Sequence, residues 1–169
     1  MPKKLPTDLP KIDLQPLSME DLEFLPIGTP VISADSAVIQ FLSAVRFEGR
    51  TTRKSSGDES TQWITDIEFK SGFGLPEAEH RGLSCVTNYH IKRDRYQVIV
   101  SPKLEELERF YVEGYDYWES LPTPEDGVRY RLLIHDRDNP YGKKSPMAMA
   151  WYEGFLDARQ GRPNAFAKE

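Results

Sequence analysis

Cysteine is almost missing from this chain. Cys85 is the single one in 169 residues, so an internal disulfide framework is excluded and a reducing cytosol fits. Long apolar runs are missing too. Nothing approaches the roughly 20 apolar residues that a membrane span needs. Lys3 and Lys4 have no apolar stretch behind them, so no signal peptide is expected. The expectation is a cytoplasmic protein with no membrane partner. Charge is not concentrated in one sign: 22 Lys and Arg stand against 27 Asp and Glu, a net −5. That balance excludes a polyanion binder by charge alone and is too mild for an obvious DNA mimic. A Gly-rich phosphate loop, a nucleophile elbow and a Ser/His/Asp arrangement are all absent from the sequence, and no cofactor is implied.

What the chain does have is a pair of matched segments. Tyr111-Val-Glu-Gly114-Tyr115 and Trp151-Tyr-Glu-Gly154-Phe155 both read aromatic, any residue, Glu, Gly, aromatic. Each follows a Ser-Pro pair, Ser101-Pro102 and Ser145-Pro146. Serine can cap the free N–H groups of a helix start, and proline is tolerated at the first helical position. Leu104, Leu107, Tyr111, Gly114 and Trp118 recur every three or four residues, as do Met147, Trp151, Gly154 and Ala158. Two amphipathic helices are therefore expected, each with a glycine on its apolar stripe. Glycine there costs roughly 1 kcal/mol relative to alanine and lets another backbone approach. The expectation is that the helices cross near Gly114 and Gly154.

The rest reads as follows. Residues 1–17 carry Pro2, Pro6, Pro10 and Pro16 and read as an extended Pro-rich arm, with 18–169 a single domain. Ser18-Met-Glu-Asp21 resembles a capping box for a short helix over 19–25. Asp35 caps a helix over 36–46 whose apolar face is Ala37, Val38, Phe41, Leu42 and Val45. Residues 48–61 read as a polar loop. Trp63, Thr65, Ile67 and Phe69 alternate with polar residues, as in a half-buried strand. Residues 83–91 and 96–100 form a hairpin turning at Lys92-Arg-Asp-Arg95, and 130–135 is a further strand. The class is α+β: an antiparallel sheet of about four strands with helices on one face, in the order α-β-β-β-α-β-α.

Three patterns bear on chemistry. Asp58 followed by Glu68-Phe-Lys70 on a strand resembles the PD-(D/E)XK nuclease pattern. That resemblance implies Mg²⁺ held by the carboxylates and a lysine that steadies the attacking water. His80, Cys85 and His90 lack a fourth zinc ligand, and a buried cysteine with surface histidines is expected instead. The order α-β-β-β-α over 35–119 is similar to the double-stranded-RNA-binding domain, but the second helix opens on Lys103-Leu-Glu-Glu106, which is mostly acidic.

The second half carries a different likeness. Gly114-Tyr115, Asn139-Pro140-Tyr141 and Ala150-Trp151-Tyr-Glu-Gly154-Phe155 with Ala158 resemble, in that order, ribosome modulation factor and its small bacterial and phage relatives. The similarity is strongest over 139–161. It implies two short helices around an Asn-Pro-Tyr segment and a ribosome or RNA partner, with Arg159, Arg162 and the turn holding Arg93 and Arg95 contributing to salt-sensitive binding. The insert between Tyr115 and Asn139 and the acidic balance depart from the family.

The leading expectation is a non-enzymatic binding protein of a bacterium or phage that modulates or inhibits a host macromolecular complex. Tyr117, Tyr152 and Phe166 lie off or beyond the helical stripes. They are interface anchors or are packed by the sheet.

Overall fold

The computed structural model describes residues 8–22, 24–34, 36–76, 79–93, 95–121, 139–142 and 144–167. Its strands are β1 (Asp13–Pro16), β2 (Pro30–Ile32), β3 (Gln40–Arg53), β4 (Glu59–Ser71), β5 (Arg81–Thr87) and β6 (Gln97–Ser101). Its helices are α1 (Asn88–Arg93), α2 (Leu104–Ser120) and α3 (Pro146–Arg159). One six-stranded sheet runs β1-β6-β2-β3-β4-β5, antiparallel at every pairing.

The class is α+β, but the expected architecture of four strands with helices on one face is corrected. Successive residues of the inner strands point to opposite faces, and both faces are buried. Ile32, Ile39, Phe41 and Ile99 pack with Leu107, Phe110, Tyr111, Met147, Met149 and Ala150 of α2 and α3. On the other face Val31, Leu42, Ile67 and Phe69 pack with Leu17 and Leu22 of the N-terminal segment and Ile91 of α1.

The expected helix over 36–46 does not form: residues 40–46 are the first half of strand β3. The register with β4 shifts between Leu42 and Ala44, so Leu42 faces Phe69 while Val45 faces Ile67. Such a bulge adds one residue and resets the two-residue alternation. Leu42 and Val45 then share a face although they are three apart, which mimics helical spacing. The expected polar loop at 48–61 is likewise strand except for a turn at 54–58: β3 and β4 stay in register out to Arg53 opposite Glu59.

The expected hairpin around 92–95 does not form. After β5 the chain enters α1, whose start is fixed by His90: its Nδ1 accepts the Thr87 N–H at 3.2 Å and lies 2.9 Å from the Thr87 hydroxyl. Strand β6 then pairs with β1 and β2, far from β5 in the sheet order. Where a short helix over 19–25 is expected, residues 19–22 and 24 form turns held by Ser18 and Asp21. The strand expected at 130–135 lies outside the described residues.

The two Ser-Pro pairs behave differently. Ser145 caps α3 by accepting the Ala148 N–H at 3.0 Å, with Pro146 in the first turn. Ser101 ends β6 instead, donating its hydroxyl to the Lys11 carbonyl at 2.7 Å. The start of α2 is Lys103, whose N–H donates to the Glu106 carboxylate at 2.8 Å.

Helices α2 and α3 cross where both glycines fall. A Cβ on Gly114 would strike the Trp151 carbonyl, and one on Gly154 would strike the Tyr111 carbonyl. Beyond the crossing, Trp118, Trp151 and Phe155 form an aromatic cluster, with Trp118 edge-on to Phe155 at 5.2 Å and Trp151 stacked on it at 5.4 Å. Glycine to alanine in a helix ordinarily stabilises by about 1 kcal/mol. Here the obstruction is backbone, which cannot rotate away, so Gly114→Ala and Gly154→Ala are each expected to destabilise by about 2–3 kcal/mol or more. Urea unfolding of each single variant checks this, and a rise in midpoint would refute the close crossing.

Candidate functional site

Helix α3 carries two acids four residues apart, Glu153 and Asp157, on the side it presents to the rest of the protein. Both are buried, at 5 % and 2 % exposure. Burying a carboxylate is expensive unless it is paired, and the two solve the problem differently. Asp157 is fully engaged. It accepts the Tyr111 hydroxyl at 2.6 Å and contacts Arg81 Nη2 through both oxygens at 3.3 Å. Arg162 Nε stands 3.0 Å from Oδ1, an ion-pair distance without hydrogen-bond alignment. These contacts join β5, α2, α3 and the C-terminal segment at one carboxylate. Burial, and then the Asp157 hydrogen bond, hold the Tyr111 phenol well above its ordinary range.

Glu153 is held less fully. Its Oε1 accepts the Phe73 N–H at 3.0 Å, while Oε2 has none among the described residues. Burial pushes this carboxyl up to about 8; nearby Asp157 raises it further, while the Phe73 N–H, Arg81 and the Ile39 backbone oppose the shift. A cavity of about 180 Å³ beside the two acids is lined by Ser71, Gly72, Arg81, Gly82 and Arg162. The cluster's chemistry is that of a lock: it ties the loop after β4, the start of β5 and the C-terminal segment to the crossed helices.

A second feature lies on the sheet. Strand β5 covers β4 only from Asp66 to Ser71, and β2 covers β3 only at Gln40 and Phe41. From Val45 to Arg53, and from Glu59 to Thr65, β3 and β4 pair only with each other among the described residues. They form a two-stranded ribbon that leaves the sheet. Every residue from 51 to 61 is exposed, and Phe47 is 54 % exposed. Thr51 meets Thr61 at 3.1 Å across the ribbon, and Arg53 pairs with Glu59 at 3.7 Å.

The residues picked out from sequence are scattered over these features. Asp58 sits in the ribbon turn and accepts the Ser56 hydroxyl. Glu68 lies nine residues along β4 from Glu59, about 30 Å at a strand's rise, where it accepts from Ser43 at 3.0 Å and pairs with Lys70 at 3.9 Å. The structure thus brings Glu68 and Lys70 together but leaves Asp58 at the far end of the ribbon. Tyr117 packs on Trp151 at 5.3 Å, and half-buried Tyr152 packs against the same aromatic cluster. Phe166 meets Phe73 at 5.2 Å and Tyr111 at 5.1 Å. Arg162 joins the Asp157 lock; Arg159 is half-buried at the end of α3. Arg93 ends α1, and exposed Arg95 follows with a left-handed φ of 51°.

Cys85 is exposed, not buried as expected, because its neighbour Val86 takes the inward side of β5. Among the described residues no three His, Cys, Asp or Glu side chains converge as a metal site. Sequence reasoning missed Glu153, Asp157 and Arg81. The available signal was that Glu153 and Asp157 follow Ala150 at three- and four-residue steps, on an apolar stripe where acids are costly.

Asn139-Pro140-Tyr141 brackets the helix pair. Asn139 Nδ2 donates to the Ala148 carbonyl at 2.9 Å, its Oδ1 accepts the Tyr141 N–H at 3.1 Å, and the Tyr141 hydroxyl donates to Glu113 at 2.6 Å. Compared with protein-family models, with curated proteins and with solved structures, the chain gives no match.

The buried acid gives a pH dependence with a definite sign. An unfolded glutamate loses its proton near 4.5, whereas folded Glu153 keeps it to about 8. The contribution of this group to stability is fully present below about 4.5 and is lost as pH rises through about 8, at about 1.4 kcal/mol per pH unit in between. The urea midpoint is expected to fall between these limits, and Glu153→Gln is expected to flatten that fall and to stabilise the protein at the alkaline end. An unchanged slope in the variant would assign the pH dependence to other groups.

Proposed function

We propose that this chain is a non-enzymatic binding protein of a bacterium or phage, which docks on a host macromolecular complex and modulates or inhibits it. The observation that carries this reading is the projecting β3–β4 ribbon. An isolated two-stranded ribbon is marginally stable in water, and its outer edges offer unpaired backbone groups to another chain. A ribbon of this length, with exposed Phe47 near its root, suits insertion against a partner. Its charge favours protein over nucleic acid: between 51 and 61, Arg53 and Lys54 are cancelled by Asp58 and Glu59, whereas a phosphate-binding element needs net positive charge.

Ribosome or RNA binding is the second reading. The bracket that Asn139 and Tyr141 form around the helix pair is what favours it, because the resemblance to ribosome modulation factor implies a helix pair around an Asn-Pro-Tyr segment. Arg159 and Arg162 near the end of α3, with Arg93 and Arg95, are then the phosphate contacts, and alanine at these positions weakens salt-sensitive RNA binding.

The test is capture from bacterial lysate by the full chain and by a variant in which residues 52–60 are replaced by Asn-Gly, a two-residue turn that preserves the pairing of Thr51 with Thr61. The full chain is expected to retain one defined complex after nuclease treatment. The shortened variant, with unchanged unfolding temperature, is expected to retain about tenfold less, or none. Equal capture by both proteins would sink the ribbon reading, and ribosomal proteins that vanish after nuclease would favour the second one.

A further inference from the structure

We propose that the cavity between the loop after β4 and the first turns of α2 binds a small organic cation with an apolar body. The cavity measures about 350 Å³, within the range of small-molecule sites. Its walls include Phe41, Phe73, Phe166 and His80, and its lip carries Glu105 and Glu108. The walls are set firmly. The Phe41 and His80 rings stack at 4.9 Å, and the His80 Nε2 lies 3.1 Å from the Leu75 carbonyl. Phe166 is held where its N–H donates to Asn164 Oδ1 at 2.9 Å and its ring meets Phe73. Gly74, with a φ of +84°, lies so close to that ring that any side chain there would collide with it.

The charge of the cavity chooses the ligand. Among the described residues no Lys or Arg lines it, and none pairs with Glu105 or Glu108. The nearest ion pair in sequence uses Arg109, which is committed to Asp8 at 2.8 Å. Both carboxylates stand in the opening turns of α2, where the helix dipole favours negative charge. An aromatic wall under two carboxylates suits an ammonium or guanidinium group on a ring or short alkyl body. Dispersion holds the body, and the carboxylates, with the electron-rich ring faces, attract the charge. A neutral ligand would leave the carboxylates unused, and an anion would be repelled.

Titration of the full-length protein, followed by amide chemical shifts in NMR, tests this. The probes are phenethylammonium, its neutral analogue phenethyl alcohol, and 3-phenylpropanoate. Phenethylammonium is expected to bind saturably, to shift the Gly74, Leu75 and Glu108 amides, and to bind about tenfold more tightly than the alcohol. The Glu105→Gln/Glu108→Gln variant keeps the size of one exposed and one half-buried side chain, so it keeps the fold, and it should bind the cation no better than the alcohol. Nα-acetyl-lysine methylamide in the same titration distinguishes sources: tighter binding than phenethylammonium assigns a basic side chain of a peptide, and weaker binding a free amine. Equal affinity for all the probes would overturn the proposal. So would no saturable binding at millimolar cation, or cation affinity unchanged in the double variant.

Discussion

The close crossing of α2 and α3 is the constraint on which the rest depends. Two backbones can approach this closely only where neither helix carries a Cβ, and each helix supplies one glycine at the contact. That geometry fixes the rotation of both helices about their axes. Once Gly154 faces Tyr111, the adjacent Glu153 and Asp157, three residues on, have no freedom and are carried to the inward side. The buried acids therefore follow from the crossing, and the protein has to accommodate them.

It does so by using one acid as a fastener and neutralising the other. Asp157 gathers a tyrosine and two arginines from three parts of the chain. A buried charge with several partners is worth little as net stability against an apolar substitute, but it specifies which segments meet. Arg81 brings in the start of β5, and Arg162 fixes the C-terminal segment that carries Phe166. Glu153 has too few partners to stay charged at neutral pH. Keeping its proton is the cheaper solution, and the folded state then weakens as the medium turns alkaline.

Much of this was legible in the sequence and some was not, for physical reasons. The helix pair and its glycine crossing could be read because both signals are local: a 3.6-residue stripe with a glycine on it. Strand β3 could not, because its bulge at Ser43 imposes a three-residue spacing on Leu42 and Val45 that period counting reads as helix. The ribbon was hidden for the opposite reason. Its polar, Thr- and Ser-rich outer strands lack the apolar alternation that marks a buried face, since every residue from 51 to 61 is exposed. The Asp157 lock brings in Tyr111 and Arg81 from 46 and 76 positions away, and nothing at Arg81 announces that its partner lies on α3.

The two kinds of surface differ in rigidity for the same reasons. The cavity beside Phe166 is walled by residues that the crossing and the lock hold in place, so its shape is set before any ligand arrives, and a small ligand pays little ordering entropy there. The ribbon has no such support beyond the last pairing with β5. Its stability rests on backbone pairing and on weak cross-strand contacts such as Thr51 with Thr61 and Arg53 with Glu59, each worth well under 1 kcal/mol when exposed. An element held so lightly at its tip, yet anchored at its root by Phe69 and Ile67 in the core, can adjust its end to a partner without disturbing the fold. A rigid cavity suits recognition of a small molecule by shape and charge, and an adaptable ribbon suits the larger and less regular surface of a macromolecule.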